Sequence, residues 1–172
     1  MLAYLIGPSG VGKSTLARKA SEVCASVFHV DLDAMIRSKD PELFFHDGSR
    51  WQEFWQLAKE CFRELETQYV DGLCLVDCGA GCLKTQDALS HLKASDYVVM
   101  VHDSPGNAFS RAKSRPGGYC SNKPFDQYML EEYSERRKCF YDAAKYKVDI
   151  TDLNEGESAD KFVRLVASFS AH

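Results

Sequence analysis

Short apolar runs alternate with longer amphipathic segments along most of the chain. These runs predict five strands, at residues 2–6, 27–30, 73–76, 97–101 and 147–150. The first and fourth runs are continuously apolar, which is typical of strands that are buried on both faces of a parallel sheet. The pattern therefore favours a sheet that is covered on both sides.

The segments between the runs have helical periodicity. They predict helices at residues 13–24, 50–69, 85–93, 105–113, 126–145 and 158–169. The 50–69 segment is the most regular, and its apolar side chains share one face that we interpret as core: Trp51, Phe54, Trp55, Ala58, Phe62 and Leu65. Alternating strands and helices predict right-handed βαβ units in a three-layer α/β/α fold with a five-stranded parallel sheet. In such sheets ligands bind at the carboxyl ends of the strands.

Length, charge and cysteine usage narrow the class of protein. The chain has 172 residues, which fits a single domain spanning 1–172. Its net charge of -4 argues against general attraction to nucleic acid or to an anionic membrane. Its seven cysteines are an odd number, which suits a reducing cytoplasm better than a disulfide framework. We expect a cytoplasmic protein that is a monomer or a weak dimer.

The first strand leads directly into a glycine-rich loop. The loop reads Gly7-Pro-Ser-Gly-Val-Gly-Lys-Ser14 and matches G-x-x-x-x-G-K-[ST] in full. Its main-chain N–H groups can turn inward around phosphates, Lys13 can hold the β- and γ-phosphates, and Ser14 can bind Mg²⁺. The expected ATP-binding residues are Gly7, Pro8, Ser9, Gly10, Val11, Gly12, Lys13, Ser14, Thr15 and Arg111.

Two carboxylates follow the second predicted strand. Asp31 and Asp33 are two residues apart, so in an extended chain both would point to the same side, towards the phosphate loop. One could steady a water molecule on Mg²⁺, and the other could accept the proton of an attacking hydroxyl. Alternatively, Asp33 caps a helix that begins at Ala34.

The end of the third predicted strand carries a further acid and a glycine turn. Asp77 follows two apolar residues, as a Walker B carboxylate does. The turn at residues 79–81 would let a substrate approach the main chain closely, although a tight turn into the next helix is an equal alternative.

Arginines occur at three separate places along the chain. Arg50 and Glu53 lie one helical turn apart and can pair. Arg115 precedes a breaker-rich stretch that predicts a mobile loop, and Arg137 belongs to a late helix. For any one of them alone, a solvated surface charge is the commoner state.

Taken together, these motifs resemble the shikimate kinase family over residues 2–150. That family carries the phosphate loop, D-x-D, F-R-x-x-E, a G-G-G turn, a lid that begins R-P, and R-x-P-L-Y. This chain departs from the pattern at Ser49, Ala80 and Cys139, which replace phenylalanine, glycine and proline, and it has an acid at Asp77 that the family lacks.

The resemblance implies a P-loop NTPase fold like that of nucleoside monophosphate kinases, with a lid at about 114–125. It implies transfer of the γ-phosphate of ATP to shikimate or a similar carboxylated cyclic polyol. The implied catalytic residues are Lys13, Asp33 and Arg115, and the implied metal-binding residues are Ser14 and Asp31. The implied acceptor site comprises Asp33, Arg50, Gly79, Ala80, Gly81 and Arg137. A gluconate-kinase-like enzyme and a non-catalytic nucleotide-binding module remain alternatives.

Overall fold

The computed structural model describes residues 1–45, 49–69, 71–79, 82–115 and 120–169. Ala80 and Gly81 of the predicted acceptor turn lie outside the described residues, as does the 116–119 part of the predicted lid.

Five parallel strands form one sheet in the described part of the chain, as the sequence predicts. They are β1 (Leu2–Ile6), β2 (Val27–Asp31), β3 (Leu73–Asp77), β4 (Val98–His102) and β5 (Tyr146–Asp149). The strand order is β2-β3-β1-β4-β5, and every pairing is parallel. The chain runs from β1 to the edge strand β2, returns through β3 beside β1, and then crosses to β4 and β5 on the other side of β1. A crevice forms outside the carboxyl end of β1, where the direction of winding reverses.

Eight α-helices and one 3₁₀ turn connect or follow these strands within the described ranges. They are α1 (Lys13–Val23), α2 (Leu32–Lys39), the 3₁₀ turn (Pro41–Phe45), α3 (Trp51–Gln68), α4 (Gln86–Ala94), α5 (Pro105–Lys113), α6 (Phe125–Glu132), α7 (Glu135–Tyr141) and α8 (Glu155–Phe169). Among these helices, none combines the length and the apolar character needed to cross a bilayer.

The prediction of one long helix over 126–145 is wrong. The structure has two helices there, because α6 ends at Glu132 and α7 begins at Glu135. Between them Ser134 takes an extended conformation, and its hydroxyl accepts a hydrogen bond from the N–H of Arg137 at 3.3 Å. A serine in this arrangement is a strong helix N-cap, so it starts a new helix instead of continuing the old one.

Alternate residues of each strand face the two helical layers. Tyr4 and Ile6 pack with α2, α3, α4 and α7, whereas Ala3 and Leu5 pack with α1, α5, α6 and α8. The predicted aromatic stripe of α3 lies in the first layer, where it is buried except for partly exposed Trp51. Both faces of the sheet are therefore covered, and the loops at its carboxyl edge carry the polar groups described next.

Candidate active site

The phosphate loop turns directly from β1 into α1. Three of its glycines have positive φ: Gly7 at 145°, Gly10 at 82° and Gly12 at 104°. A side chain at Gly10 would place its Cβ 2.7 Å from the Cβ of Ala112 on α5, which leaves no room for any residue larger than glycine. The loop is thus shaped both by its own glycines and by close packing against α5.

Lys13 lies across this loop. The side chain is buried, and its ammonium group donates to the carbonyls of Gly7 at 3.1 Å and Pro8 at 3.3 Å. These contacts fix a positive charge over the main-chain turn. A polyphosphate in the loop would meet that charge directly.

Ser14, the next residue of the loop, contacts the acid at the end of β3. The Ser14 hydroxyl donates a hydrogen bond to Oδ2 of Asp77, a buried carboxylate. Serine hydroxyl and carboxylate oxygens are hard ligands of the kind that Mg²⁺ prefers. The pair therefore fits a magnesium ion bound beside a nucleotide.

Asp31 lies next to Asp77 in the sheet, since the two residues are register partners in the β2–β3 pairing. Its Oδ1 accepts a hydrogen bond from the N–H of Ala34 at 3.0 Å, so Asp31 is the N-cap of α2. The alternative in which Asp33 caps a helix beginning at Ala34 is therefore wrong. Because α2 begins at Leu32, the prediction of an extended chain from Asp31 to Asp33 is wrong as well.

Asp33 reaches the crevice from the first turn of α2. Its carboxylate packs against the α-carbon of Gly79, where an added Cβ would lie 2.5 Å from Oδ1. Oδ1 is buried and has no hydrogen-bond partner within the residues that the structure describes. Burial, with the nearby charges of Asp31 and Asp77, raises the pKa of Asp33 to about 6, and Lys13 and Arg37 oppose the rise. A carboxylate of this kind is suited to accept a proton near neutral pH.

Two of the predicted acceptor-site arginines differ in their surroundings. Arg137 is only 3% exposed and donates to the carbonyl of Leu83 at 3.1 Å, so it is no surface charge. Arg50 is partly exposed at the start of α3. It pairs with Glu53 at 2.6 Å, as predicted, and also with Asp40 at 3.3 Å.

Lys84 is a further cation at this site that the sequence analysis did not identify. Its ammonium group lies 5.3 Å from the centre of the Trp51 ring, and its main-chain carbonyl accepts from Arg136. Burial, together with the positive charges of Arg137 and Arg136, lowers the pKa of Lys84. The edge of the crevice next to Gly79 is therefore locally positive in a chain of negative net charge.

Glu132 is a second residue that the sequence analysis missed. It is 1% exposed, and its carboxylate accepts from the N–H of Ser9 at 3.1 Å and from the Ser9 hydroxyl at 3.2 Å. The Tyr128 hydroxyl donates to the carbonyl of Ser9 at 2.8 Å. Helix α6 thus holds the phosphate loop through all three polar groups of one residue. No local pattern could reveal a contact across this distance in the sequence.

Arg111 and Thr15 lie beside the phosphate loop, and Arg115 follows α5. Arg111 donates from Nε to the carbonyl of Gly10 at 2.8 Å, and with Thr15 it lines a cavity of about 280 Å³ beside the phosphate loop. Arg115 is exposed just after α5, next to the stretch outside the described residues. The structure thus brings together the phosphate loop, Asp33, Asp77, Gly79 and Arg111.

Comparison with known proteins assigns a family to this arrangement. The sequence profile of the shikimate kinase family matches residues 9–167. A shikimate kinase from Psychromonas ingrahamii is 28% identical over 172 residues, which cover 95% of each chain. A shikimate kinase from Vibrio parahaemolyticus is 26% identical over 168 residues, covering 95% of this chain and 94% of the relative.

Solved structures resemble the fold over almost its whole length. The shikimate kinase of Acinetobacter baumannii, in complex with shikimate, has a TM-score of 0.70 and 21% identity, covering 99% of this chain and 93% of its own. The shikimate kinase of Aquifex aeolicus has a TM-score of 0.68 and 23% identity, covering 99% and 98%. At these identities the structural likeness supports the fold alone. The profile match spans most of the sequence, and the chain belongs to the shikimate kinase family.

Proposed function

We propose that this chain is an ATP-dependent kinase that transfers the γ-phosphate to a hydroxyl group of shikimate. The observation that carries the proposal is the position of Asp33. A buried carboxylate, available to accept a proton, faces the glycine after β3 and lies near Lys13 of the phosphate loop. A hydroxyl held between these groups would have a base on one side and a phosphoryl donor on the other.

The chemistry follows from these positions. The acceptor hydroxyl oxygen attacks the γ-phosphorus, the bond from that phosphorus to the β–γ bridging oxygen breaks, and the hydroxyl proton passes to Asp33. ADP then leaves with the electron pair of the broken bond. Lys13 and the inward N–H groups of the loop would stabilise the charge that develops on the phosphoryl oxygens. Exposed Arg115 would add a further positive charge there.

We propose that Ser14 and Asp77 hold the magnesium ion, and that Asp31, the register partner of Asp77, orients water around it. When bound, Mg²⁺ neutralises negative charge on the β- and γ-phosphate oxygens. The direct hydrogen bond between Ser14 and Asp77 supports this assignment, because it places both oxygens together before any ligand binds.

The acceptor carboxylate would bind at the positive edge of the crevice. Buried Arg137 supplies a planar donor beside Leu83, and Arg50, oriented by Glu53, supplies another. Gly79 would let the acceptor ring approach the main chain. We propose the same role for Ala80 and Gly81, which lie outside the described residues. The free thiols of the chain support a cytoplasmic location.

A coupled assay of ADP release tests this function. The acceptors are shikimate, quinate, gluconate and water, each supplied with Mg²⁺-ATP, and Lys13→Met is the inactive control. The proposal requires turnover that depends on shikimate and is lost in the control. Turnover with gluconate but not with shikimate would select a different polyol kinase. Nucleotide binding without turnover for any acceptor would indicate a non-catalytic module.

A further inference from the structure

A buried acid stands at the carboxyl end of β4, outside the proposed catalytic groups. Asp103 is only 2% exposed, and it follows the last residue of that strand. Its Oδ1 accepts from the N–H of Ser104 at 2.6 Å and from the side-chain amide of Asn107 at 3.1 Å, while Oδ2 accepts from the guanidinium of Arg111. A buried carboxylate is tolerated only when it is paired and hydrogen-bonded in this way.

Arg111 connects this acid to the phosphate loop. One guanidinium nitrogen donates to Asp103, and Nε donates to the carbonyl of Gly10 at 2.8 Å. The side chain is 45% exposed in spite of these two contacts. Two separate hydrogen bonds from one rigid planar group fix its orientation as well as its position.

The exposed part of Arg111 lines the cavity beside the phosphate loop. Asp103 and Asn107 contribute polar groups to the same cavity, and Ile150 and Leu153 contribute apolar surface. A planar guanidinium with nearby aliphatic side chains offers a nucleobase both a stacking surface and an apolar contact. Since the cavity adjoins the phosphate loop, it would receive the nucleoside end of a nucleotide bound there.

We propose that Asp103 is a positioning residue for nucleotide binding, which fixes the Arg111 guanidinium as one wall of the nucleobase cavity. The proposal rests on the proposed function in requiring a nucleotide at the phosphate loop. A purely stabilising role of Asp103 makes a different prediction. A variant that is only less stable would lose affinity for a nucleotide and for its bare polyphosphate to the same extent.

The test compares two ligands that differ only in the presence of a nucleoside. Titration calorimetry on the full chain, without acceptor, gives the Kd of Mg²⁺-ATP and of Mg²⁺-tripolyphosphate. In Asp103→Asn we expect the ratio of the ATP Kd to the tripolyphosphate Kd to rise roughly tenfold, the size of one charge-assisted hydrogen bond. Using the ratio removes any general effect of the altered charge on polyphosphate binding.

Two further variants and a control test whether Asp103 acts on nucleotide binding through Arg111. Arg111→Lys keeps the positive charge but removes the planar guanidinium, and we expect a similar rise in the ratio of the ATP Kd to the tripolyphosphate Kd. In an Arg111→Ala background, Asp103→Asn should raise the ratio no further. Asp96→Asn removes an exposed acid that pairs with Lys145, near the opposite end of β4, and should leave the ratio unchanged.

An unchanged ratio in Asp103→Asn, or an additive effect in the Arg111→Ala background, would overturn the proposal. If Asp103→Asn does not fold, as judged by circular dichroism, the Arg111→Lys ratio decides: an unchanged ratio overturns the proposal and a raised ratio supports it. A wild-type chain that binds tripolyphosphate as tightly as ATP would also overturn it. Binding of neither ligand would instead contradict the proposed function itself.

Discussion

The carboxylate of Asp33 lies directly against the α-carbon of Gly79, so the first turn of α2 and the turn after β3 share one wall of the crevice. The two residues are far apart in sequence and meet because β2 and β3 are neighbours in the sheet. Any side chain at position 79 would occupy space that the carboxylate now fills. Glycine at this position is therefore required for packing, and under the proposed function it would also let an acceptor approach the main chain.

Replacement of Gly79 by alanine tests this contact. We expect Gly79→Ala to displace the Asp33 carboxylate and to lower kcat/KM for the acceptor by about 100-fold, the lower end of what a positioned base contributes. The Kd of Mg²⁺-ATP should change little. Gly106→Ala is the matched control, because a Cβ there meets nothing within 4 Å. Equal effects of the two substitutions would show that the contact is unimportant for turnover.

The sequence predicts the sheet and the phosphate loop because both depend on local patterns. Strand periodicity and the spacing of Gly7, Gly12 and Lys13 are sufficient for them. The prediction of an extended chain at residues 31–33 fails because the main chain becomes helical at Leu32. The prediction of one long helix fails at Ser134, where an N-cap starts a new helix.

The contacts that Arg111 and Glu132 make with the phosphate loop could not be predicted from the sequence. Arg111 and Gly10 are 101 residues apart, and Ser9 and Glu132 are 123 apart. Such pairs meet only after the helices pack on the sheet, so no spacing within the chain signals them. Asp103 directly follows β4. Because ligands bind at the carboxyl ends of parallel strands, this position could have marked Asp103 as a candidate site residue.

Asp33 should make stability depend on pH in the metal-free protein. Its folded-state pKa of about 6 exceeds the ordinary value of 3.8, so the folded chain binds the proton more tightly than the unfolded chain. The stabilisation is full below about pH 3.8 and is lost as pH rises towards 6. We therefore expect Asp33→Asn to gain about 2 kcal/mol of unfolding free energy relative to wild type between pH 4.5 and pH 7.

Urea unfolding in EDTA at the two pH values measures this gain. Asp96→Asn, which replaces an exposed acid, serves as the control and should show no comparable change. If the difference between Asp33→Asn and wild type is the same at both pH values, Asp33 does not carry the raised pKa.

Asp77 should determine how strongly magnesium supports nucleotide binding. The Asp77 carboxylate is buried against the Ser14 hydroxyl, whereas exposed Asp31 caps α2. We expect Asp77→Asn to abolish most of the gain in ATP affinity that Mg²⁺ gives, roughly tenfold, with little change in EDTA. Asp31→Asn keeps a good helix cap and should lose less. Calorimetry with and without Mg²⁺ measures both, and a larger loss in Asp31→Asn would reverse the assignment.

Lys84 should contribute to acceptor binding without affecting the nucleotide. It shares the positive edge of the crevice with Arg137, and burial beside two arginines makes its charge costly unless an anion binds nearby. We expect Lys84→Met to raise the acceptor KM about fivefold, within the range for one partly buried charge contact. Lys138→Met, at an exposed position on α7, is the control for lost charge. An unchanged acceptor KM in Lys84→Met would remove Lys84 from the acceptor site.

The role of Asp33 as the base beside the phosphate loop is tested most directly by Asp33→Asn. Two quantities are measured for this variant: kcat at saturating shikimate and Mg²⁺-ATP, and the Kd of Mg²⁺-ATP. We predict a fall in kcat of at least about 100-fold with a Kd within about threefold of wild type. Near-normal turnover in this variant would contradict the account, because the acceptor proton would then have another destination.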